Sequence, residues 1–173
     1  MRDVQPGRRA GQGMLILAWI VGLGLLTWAF GTWEDRQDNP NRNPESREGN
    51  GVLEVVLQRN RNGHYVASGL INDEEAIFLL DTGATDVVVS QDLAERAGLE
   101  AGAMKQAMTA NGRINVRATR LDRLRLGNIE LRDVSASINP SMGGRQVLLG
   151  MSALGQVEFS QQGDQLTLRY PAQ

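Results

Sequence analysis

Between Ala10 and Trp33 the chain carries no charged side chain, and from Met14 to Phe30 (MLILAWIVGLGLLTWAF) it is apolar almost throughout. At about 1.5 Å per residue the uncharged run reaches about 30 Å, the thickness of a bilayer's hydrocarbon core. Residues 11–33 are therefore expected to form a single transmembrane helix, with Trp28 and Trp33 suited to an interfacial aromatic belt. The alternative is a cleaved signal peptide with Arg8 and Arg9 as its charged start and Ala29-Phe30-Gly31 as a small-x-small site, but the apolar run exceeds the usual length of such a region. Arg2, Arg8, Arg9 and the amino terminus precede the span, whereas Arg36, Arg42 and Arg47 follow interleaved with acids. The positive-inside tendency then leaves residues 1–10 as a cytoplasmic tail and exports the bulk of the chain, so the expected location is the cytoplasmic (inner) membrane, single-pass, with the folded domain on the outer or periplasmic side.

Residues 34–50 (EDRQDNPNRNPESREGN) have two Asn-Pro steps and no apolar face, and are expected to be a flexible polar linker. The remaining residues, 51–173, suffice for one domain with its own core. Within them short strands alternate with turn chemistry. Residues 51–58 are β-rich, Asn62-Gly63 signals a hairpin, residues 64–71 answer it, Asn72-Asp73 turns again and residues 76–80 form a compact apolar strand. Period-2 faces recur at Ile114, Val116 and Ala118, at Leu124 and Leu126, at Ile129 and Leu131 across Gly127-Asn128, and at Ala136 and Ile138. Val157, Phe159, a turn over residues 161–164, then Leu166, Leu168 and Tyr170 predict a closing hairpin. One helix is clear over residues 91–97, with Ser90 as N-cap and Gly98 at C′, and a second helical turn is expected after Gly150. The class is all-β with one or two short helices, most simply a small closed barrel.

Composition excludes several chemistries. There is no cysteine and only one histidine, His64, so neither a thiolate nucleophile nor a His-rich metal site is available, and a Ser-His-Asp triad is disfavoured. Lys plus Arg is 18 against 20 for Asp plus Glu, leaving no strong field for nucleic acid. Arg117, Arg120, Arg123 and Arg125 interleave with Leu121, Leu124 and Leu126 and read as the wet face of strands, with no aromatic residues between them for base stacking. His64 reads as an ordinary exposed residue. No carboxylate cluster with metal spacing or Gly-rich phosphate loop occurs, so no metal and no cofactor is expected.

The chemistry is carried by Phe78-Leu79-Leu80-Asp81-Thr82-Gly83-Ala84-Thr85, which sets a carboxylate directly after a buried strand on a turn that Gly83 permits and the Thr82 hydroxyl can brace. Asp-Thr-Gly is also ordinary turn material. Two further elements stand in order behind it: Thr109-Ala110-Asn111-Gly112 between strand-like residues, and Val147-Leu148-Leu149-Gly150-Met151. Together they resemble the retropepsin-like aspartic proteases, in particular their single-pass, membrane-anchored bacterial members, over about residues 51–170.

The resemblance implies that Asp81, Thr82 and Gly83 form the catalytic loop, with Thr82 gripping its counterpart across a dimer axis. It makes residues 109–112 (Thr109, Ala110, Asn111, Gly112) a flap over the substrate, and Leu148, Leu149 and Gly150 the element that threads behind the catalytic loop. Ala84 and Asp86 fall beside the expected cleft, although Asp86 also reads as a solvated loop acid. Two-lobed enzymes of this kind carry two Asp-Thr-Gly copies, whereas this chain has one, so the second carboxylate must come from another copy in a homodimer. Carboxylates about 3 Å apart cannot both ionise and share one proton, letting one act as base on a water while the other donates to the scissile carbonyl.

The implied activity is that of an aspartic endopeptidase acting on polypeptide. The competing readings are a noncatalytic dimerisation or peptide-binding module with the same barrel, and an anchored β-domain unrelated to proteases. Retroviral members commonly carry an acid after the Ala and an Arg after the later Gly; here those places hold Thr85 and Met151, which puts that style of dimer contact in doubt. Ala84 also stands where pepsin-like enzymes have a Ser that helps keep the carboxylate ionised, implying a mildly acidic optimum.

Overall fold

The computed structural model describes residues 6–109 and 112–172. They divide into two compact units, residues 1–37 and 38–173.

The first unit is formed by the helix α1 (Pro6–Asp38), whose last residue is counted with the second. Its stretch Gly11–Asp38 has a mean hydropathy of 2.0 in its most apolar window and is long and apolar enough to cross a membrane. Its large apolar side chains, from Met14 to Trp33, are all exposed. The helix continues past the expected boundary at Trp33 because Glu34, Arg36 and Gln37 are good helix formers. It stops before Asn39-Pro40, where the residue preceding a proline is pushed out of the helical region.

Among the described residues, the second unit contains eleven strands and two short helices. These are β1 (Glu45–Gly49), β2 (Val52–Gln58), β3 (Val66–Ile71), β4 (Glu74–Leu80), β5 (Val87–Ser90), α2 (Gln91–Arg96), β6 (Met104–Thr109), β7 (Gly112–Leu126), β8 (Ile129–Asn139), β9 (Gln146–Leu149), α3 (Met151–Leu154), β10 (Glu158–Gln162) and β11 (Gln165–Pro171). Seven of the strands form a sheet in the order β3-β4-β9-β5-β8-β7-β6, and an additional β3–β7 pairing closes it into a barrel from which β6 extends. The core is the barrel interior, with Phe78, Val87, Val89, Leu121, Leu124, Val134 and Val147 all but inaccessible. The expected closed β-barrel is thus present.

Much of the turn chemistry is where the residues put it. Asn72 and Asp73 both have positive φ and join the antiparallel β3 and β4, the backbone twist a two-residue hairpin needs. Ser90 Oγ accepts from Leu93 N–H at 3.2 Å and Gly98 turns at φ +65°, so α2 is capped at both ends by the expected residues. The period-2 faces at residues 114–118 and 124–126 belong to one continuous strand, β7. Its buried side changes phase between Leu121 and Leu124, and β8 changes phase at the same level, where Asp133 has φ +55°. Both strands therefore turn a new face inward together without losing register.

The expectation for residues 34–50 needs correcting, because little of that stretch is a flexible linker. Its first part is helix, and from Asn39 onward it belongs to the β-unit. Asn41 is 4% exposed. Its Nδ2 donates to Gln58 O at 2.9 Å and Val66 O at 2.7 Å, and its Oδ1 accepts from Gln58 N–H at 2.7 Å. Asn39 Nδ2 donates to Ser68 Oγ at 3.0 Å. Residues Glu45–Gly49 then pair antiparallel with β2. Apolar periodicity is blind to a segment held by buried amides and main-chain bonds. The result is a second sheet, β1-β2-β11-β10, absent from the sequence expectation of a barrel alone.

Candidate active site

Strands β4 and β5 are consecutive in the chain, but β9 lies between them, parallel to β4 and antiparallel to β5. Two strands with a third between them are about 9.5 Å apart, so residues 81–86 must arch over the end of β9. The arch is tied down on its inner side. Asp81 N–H donates to Leu149 O at 3.2 Å, Met151 N–H to Ala84 O at 2.8 Å and Ser152 N–H to Thr85 O at 2.9 Å. The Ser152 hydroxyl accepts from Val87 N–H at 2.9 Å and donates to Ser135 O at 2.7 Å, joining the exit of the arch to α3 and β8.

Gly150 is the position this arrangement depends on. A Cβ there would stand 2.2 Å from Asp86 O and 2.7 Å from Ala84 O, both backbone atoms. Leu149 and Gly150 are buried and Leu148 half-buried. The strand-then-glycine element thus lies directly beneath the Asp-Thr-Gly arch.

Asp81 sits half-buried at the start of the arch. Its Oδ1 accepts from Gly83 N–H at 2.8 Å, closing an Asx turn. The turn is braced by Asp81 itself, where the sequence suggested the Thr82 hydroxyl; Thr82 lies exposed at the tip. Gly83 keeps the close approach, since a Cβ there would lie 3.1 Å from Asp81 Oδ1. Among the described residues no side chain donates to Asp81 Oδ2, so this oxygen is available to a water or another carboxyl group.

Asp86, at the far end of the arch, is not a solvated acid. Its carboxylate is ion-paired with Lys105 on β6 and accepts from Ser137 Oγ on β8 at 3.1 Å. Lys105 is the chain's one lysine, and through it β6 is fastened to the arch. The sequence offered no signal for this network, because its members are 19 and 51 positions from Asp86. Strands β6 and β7 form the antiparallel hairpin that carries the expected flap, Thr109 pairing with Gly112; Ala110 and Asn111, at its tip, lie outside the described residues. His64 is exposed. Arg120 and Arg123 face solvent in pairs with Asp133 and Asp73, and the Arg120 hydrogen bond holds the Asp133 carboxyl below the usual range.

A closed barrel with a strand threaded beneath an Asp-Thr-Gly arch defines a retropepsin-like aspartic protease fold. Residues 67–156 match the family described as "gag-polyprotein putative aspartyl protease", and the chain belongs to that family. In three dimensions the chain is similar to a retropepsin-like aspartic protease from Rickettsia conorii, with a TM-score of 0.61 and 25% identity, covering 75% of this chain and 96% of that one. It is more distantly similar to the EIAV protease complexed with the inhibitor HBY-793, with a TM-score of 0.44 and 20% identity over 56% of this chain and 89% of that one. Among curated sequences it is 33% identical to an uncharacterized protein in the cobV 5' region of a Sinorhizobium sp, over 75% of this chain and 58% of that protein. It is 27% identical to an uncharacterized protein of Rickettsia prowazekii (strain Madrid E), over 69% of this chain and 52% of that protein. The chain thus matches little more than half the length of these two relatives.

Proposed function

We propose that this protein is an aspartic endopeptidase that works as a homodimer, each copy supplying one catalytic Asp81. The observation that supports this reading best is Asp81 itself: a carboxylate on a rigid arch, half exposed, with Oδ1 held by Gly83 N–H and Oδ2 available. Two such groups meeting at a twofold axis about 3 Å apart share a single proton. The ionised member takes a proton from a water, whose oxygen attacks the scissile carbonyl. The protonated member gives its proton to the carbonyl oxygen, forming a tetrahedral diol, and return of a proton to the amide nitrogen releases the two peptides. Nothing in this sequence of steps needs a cofactor. Thr82 would meet its counterpart at the axis, and Ala84, Asp86 and the flap at residues 109–112 would border the substrate.

We further read α1 as a single-pass anchor in the cytoplasmic membrane, its N-terminus inside and the β-unit on the outer side. The substrate is then polypeptide near that outer face, and tethering two copies to one membrane raises their effective concentration. The decisive experiment compares the full chain in detergent with Asp81→Asn on a denatured protein mixture. Asn keeps the oxygen that accepts from Gly83 N–H, so the fold should persist while cleavage falls by a factor of at least about 1,000, the scale on which one essential catalytic group acts. Equal cleavage by both proteins, or none by either, would leave the noncatalytic dimerisation or peptide-binding module as the better reading.

A further inference from the structure

One side of the β6–β7 hairpin is built unlike the rest of the β-unit. Residues 101–121 contain no Asp or Glu but include Lys105, Arg113, Arg117 and Arg120, in a chain whose acids outnumber its bases. In the ladder Met104 stands opposite Arg117, Gln106 opposite Asn115 and Met108 opposite Arg113. Directly opposite residues share a face, and along each strand every second residue returns to it. These six side chains therefore lie on one side of the hairpin, and all six are exposed. The other side carries Lys105, which reaches Asp86 on the arch, and Val116, which is buried.

The outward side combines two properties. Met104 is 64% and Met108 73% exposed, more than any other large apolar side chain described in the β-unit. Arg113 and Arg117 meet no carboxylate among the described residues, whereas Lys105, Arg120, Arg123, Arg132 and Arg145 are each ion-paired. Each methionine thus has an uncompensated arginine opposite it, and the two pairs stand about 13 Å apart along the hairpin. Arginine keeps its charge at a polar boundary while its stem lies along apolar matter, and methionine is wholly apolar. A bilayer whose anionic headgroups overlie acyl chains satisfies both at once.

The chain's own connectivity favours that occupant over a soluble one. It passes from the end of α1 to Asn39 and Asn41, both buried in the β-unit, with no linker between. A bilayer crossed by α1 is then a surface that the β-unit cannot leave, and lipid meets it at a high effective concentration.

We infer that this side of the hairpin docks on the surface of an anionic bilayer. Met104 and Met108 enter the headgroup boundary, and Arg113 and Arg117 pair with lipid phosphates; the inference rests on the reading of α1 as a membrane anchor. An arginine near an anionic surface favours the docked state about five-fold, and the pair about 30-fold, over the same surface made neutral. The hairpin also carries the residues expected to cover the substrate, so lipid composition bears on access to the cleft.

The absence of cysteine lets a single introduced thiol carry a polarity-sensitive dye without ambiguity. Two variants of the full chain are placed in lipid nanodiscs, Leu23→Cys to read the anchor and Met108→Cys to read the docking. The discs are phosphatidylcholine alone or an equal mixture with phosphatidylglycerol, each with a trace of lipid bearing a shallow nitroxide quencher. The Leu23 dye should report an apolar setting in both discs. The Met108 dye should be quenched in the mixed disc only, and released by about 0.5 M salt, where the screening length is about 4 Å. Adding Arg113→Glu and Arg117→Glu, both at exposed positions, should lower the docked-to-free ratio at least 30-fold. A Met108 dye equally accessible in both discs, beside a Leu23 dye in lipid, overturns the docking and leaves the anchor standing. A Leu23 dye in water overturns the anchor and the docking with it. Shielding of Met108 that appears in detergent and grows with protein concentration assigns the face to a second copy, and shielding by an acidic polypeptide in neutral discs but not by phosphatidylglycerol assigns it to a protein partner; either overturns the lipid surface.

Discussion

Replacing Gly150 by alanine tests whether the arch over β9 is held as tightly as its geometry requires. The added Cβ would lie 2.2 Å from Asp86 O and 2.7 Å from Ala84 O, the first roughly 1 Å inside an ordinary carbon–oxygen contact of about 3.3 Å. Neither atom is the end of a flexible side chain. Ala84 O is already engaged by Met151 N–H at 2.8 Å, and Asp86 is held by Lys105 and Ser137. Relief must come from moving the main chain of the arch. Overpacking costs about 1–3 kcal/mol when neighbours can yield, and here the upper end, about 3 kcal/mol, is expected. For a β-unit of this size that lowers the melting temperature by about 10 °C. An arch displaced by about 1 Å would also misplace Asp81, reducing proteolysis of the surviving folded protein roughly 100-fold. Thermal denaturation and cleavage of a denatured substrate, both on the full chain in detergent, read the two effects separately. Gly143→Ala is the control, its Cβ meeting only Asp92 Oδ2 at an ordinary 3.6 Å. A Gly150→Ala protein that melts within about 2 °C of wild type and cleaves as fast would show that the close approach does not constrain the site.

Asn41→Ala should destabilise the β-unit by about 2–3 kcal/mol, because it leaves the main-chain groups of Gln58 and Val66 without their buried partner; an unchanged denaturant midpoint would return residues 39–50 to the role of a linker. Asn72→Ala should cost about 2 kcal/mol, losing the bonds to Ala97 O and from Arg123 N–H and placing a Cβ residue less suited to positive φ in the hairpin. Asp73→Gly at the next turn position should be neutral or stabilising by the same chemical denaturation. Activity of the proposed dimer against pH should be bell-shaped, because catalysis needs one carboxyl of the pair as base and the other as proton donor. A profile peaking below pH 3 would contradict the argument from Ala84.

What was legible in the residues was local. Asn72-Asp73, the Ser90 cap, Gly98, and the alternation along β7, β8 and β11 each act over a few positions, and each element formed where its chemistry placed it. The Asp-Thr-Gly turn and the later Leu-Leu-Gly were legible for the same reason, since their order and composition carry the pattern. Segments held by distant partners were not legible. Strand β1 has no apolar face, and Asn39 and Asn41 are tied to Ser68, Gln58 and Val66. The ion pair of Asp86 with Lys105 and the bridge from Ser152 to Val87 and Ser135 likewise join residues far apart in the chain.

The amino-acid sequence by itself determined that residues 14–30 belong to a long apolar helix, that residues 51–170 are short strands around a single core, and that one carboxylate stands on a glycine turn after a buried strand. These follow from side-chain periodicity and backbone preference, which act between near neighbours. Only the tertiary structure decided that β9 runs beneath that turn, that Gly150 must lack a side chain to let it pass, and that β2 pairs with β11 in a second sheet. Those outcomes depend on which main-chain groups find one another across the whole chain, and no local pattern encodes that choice.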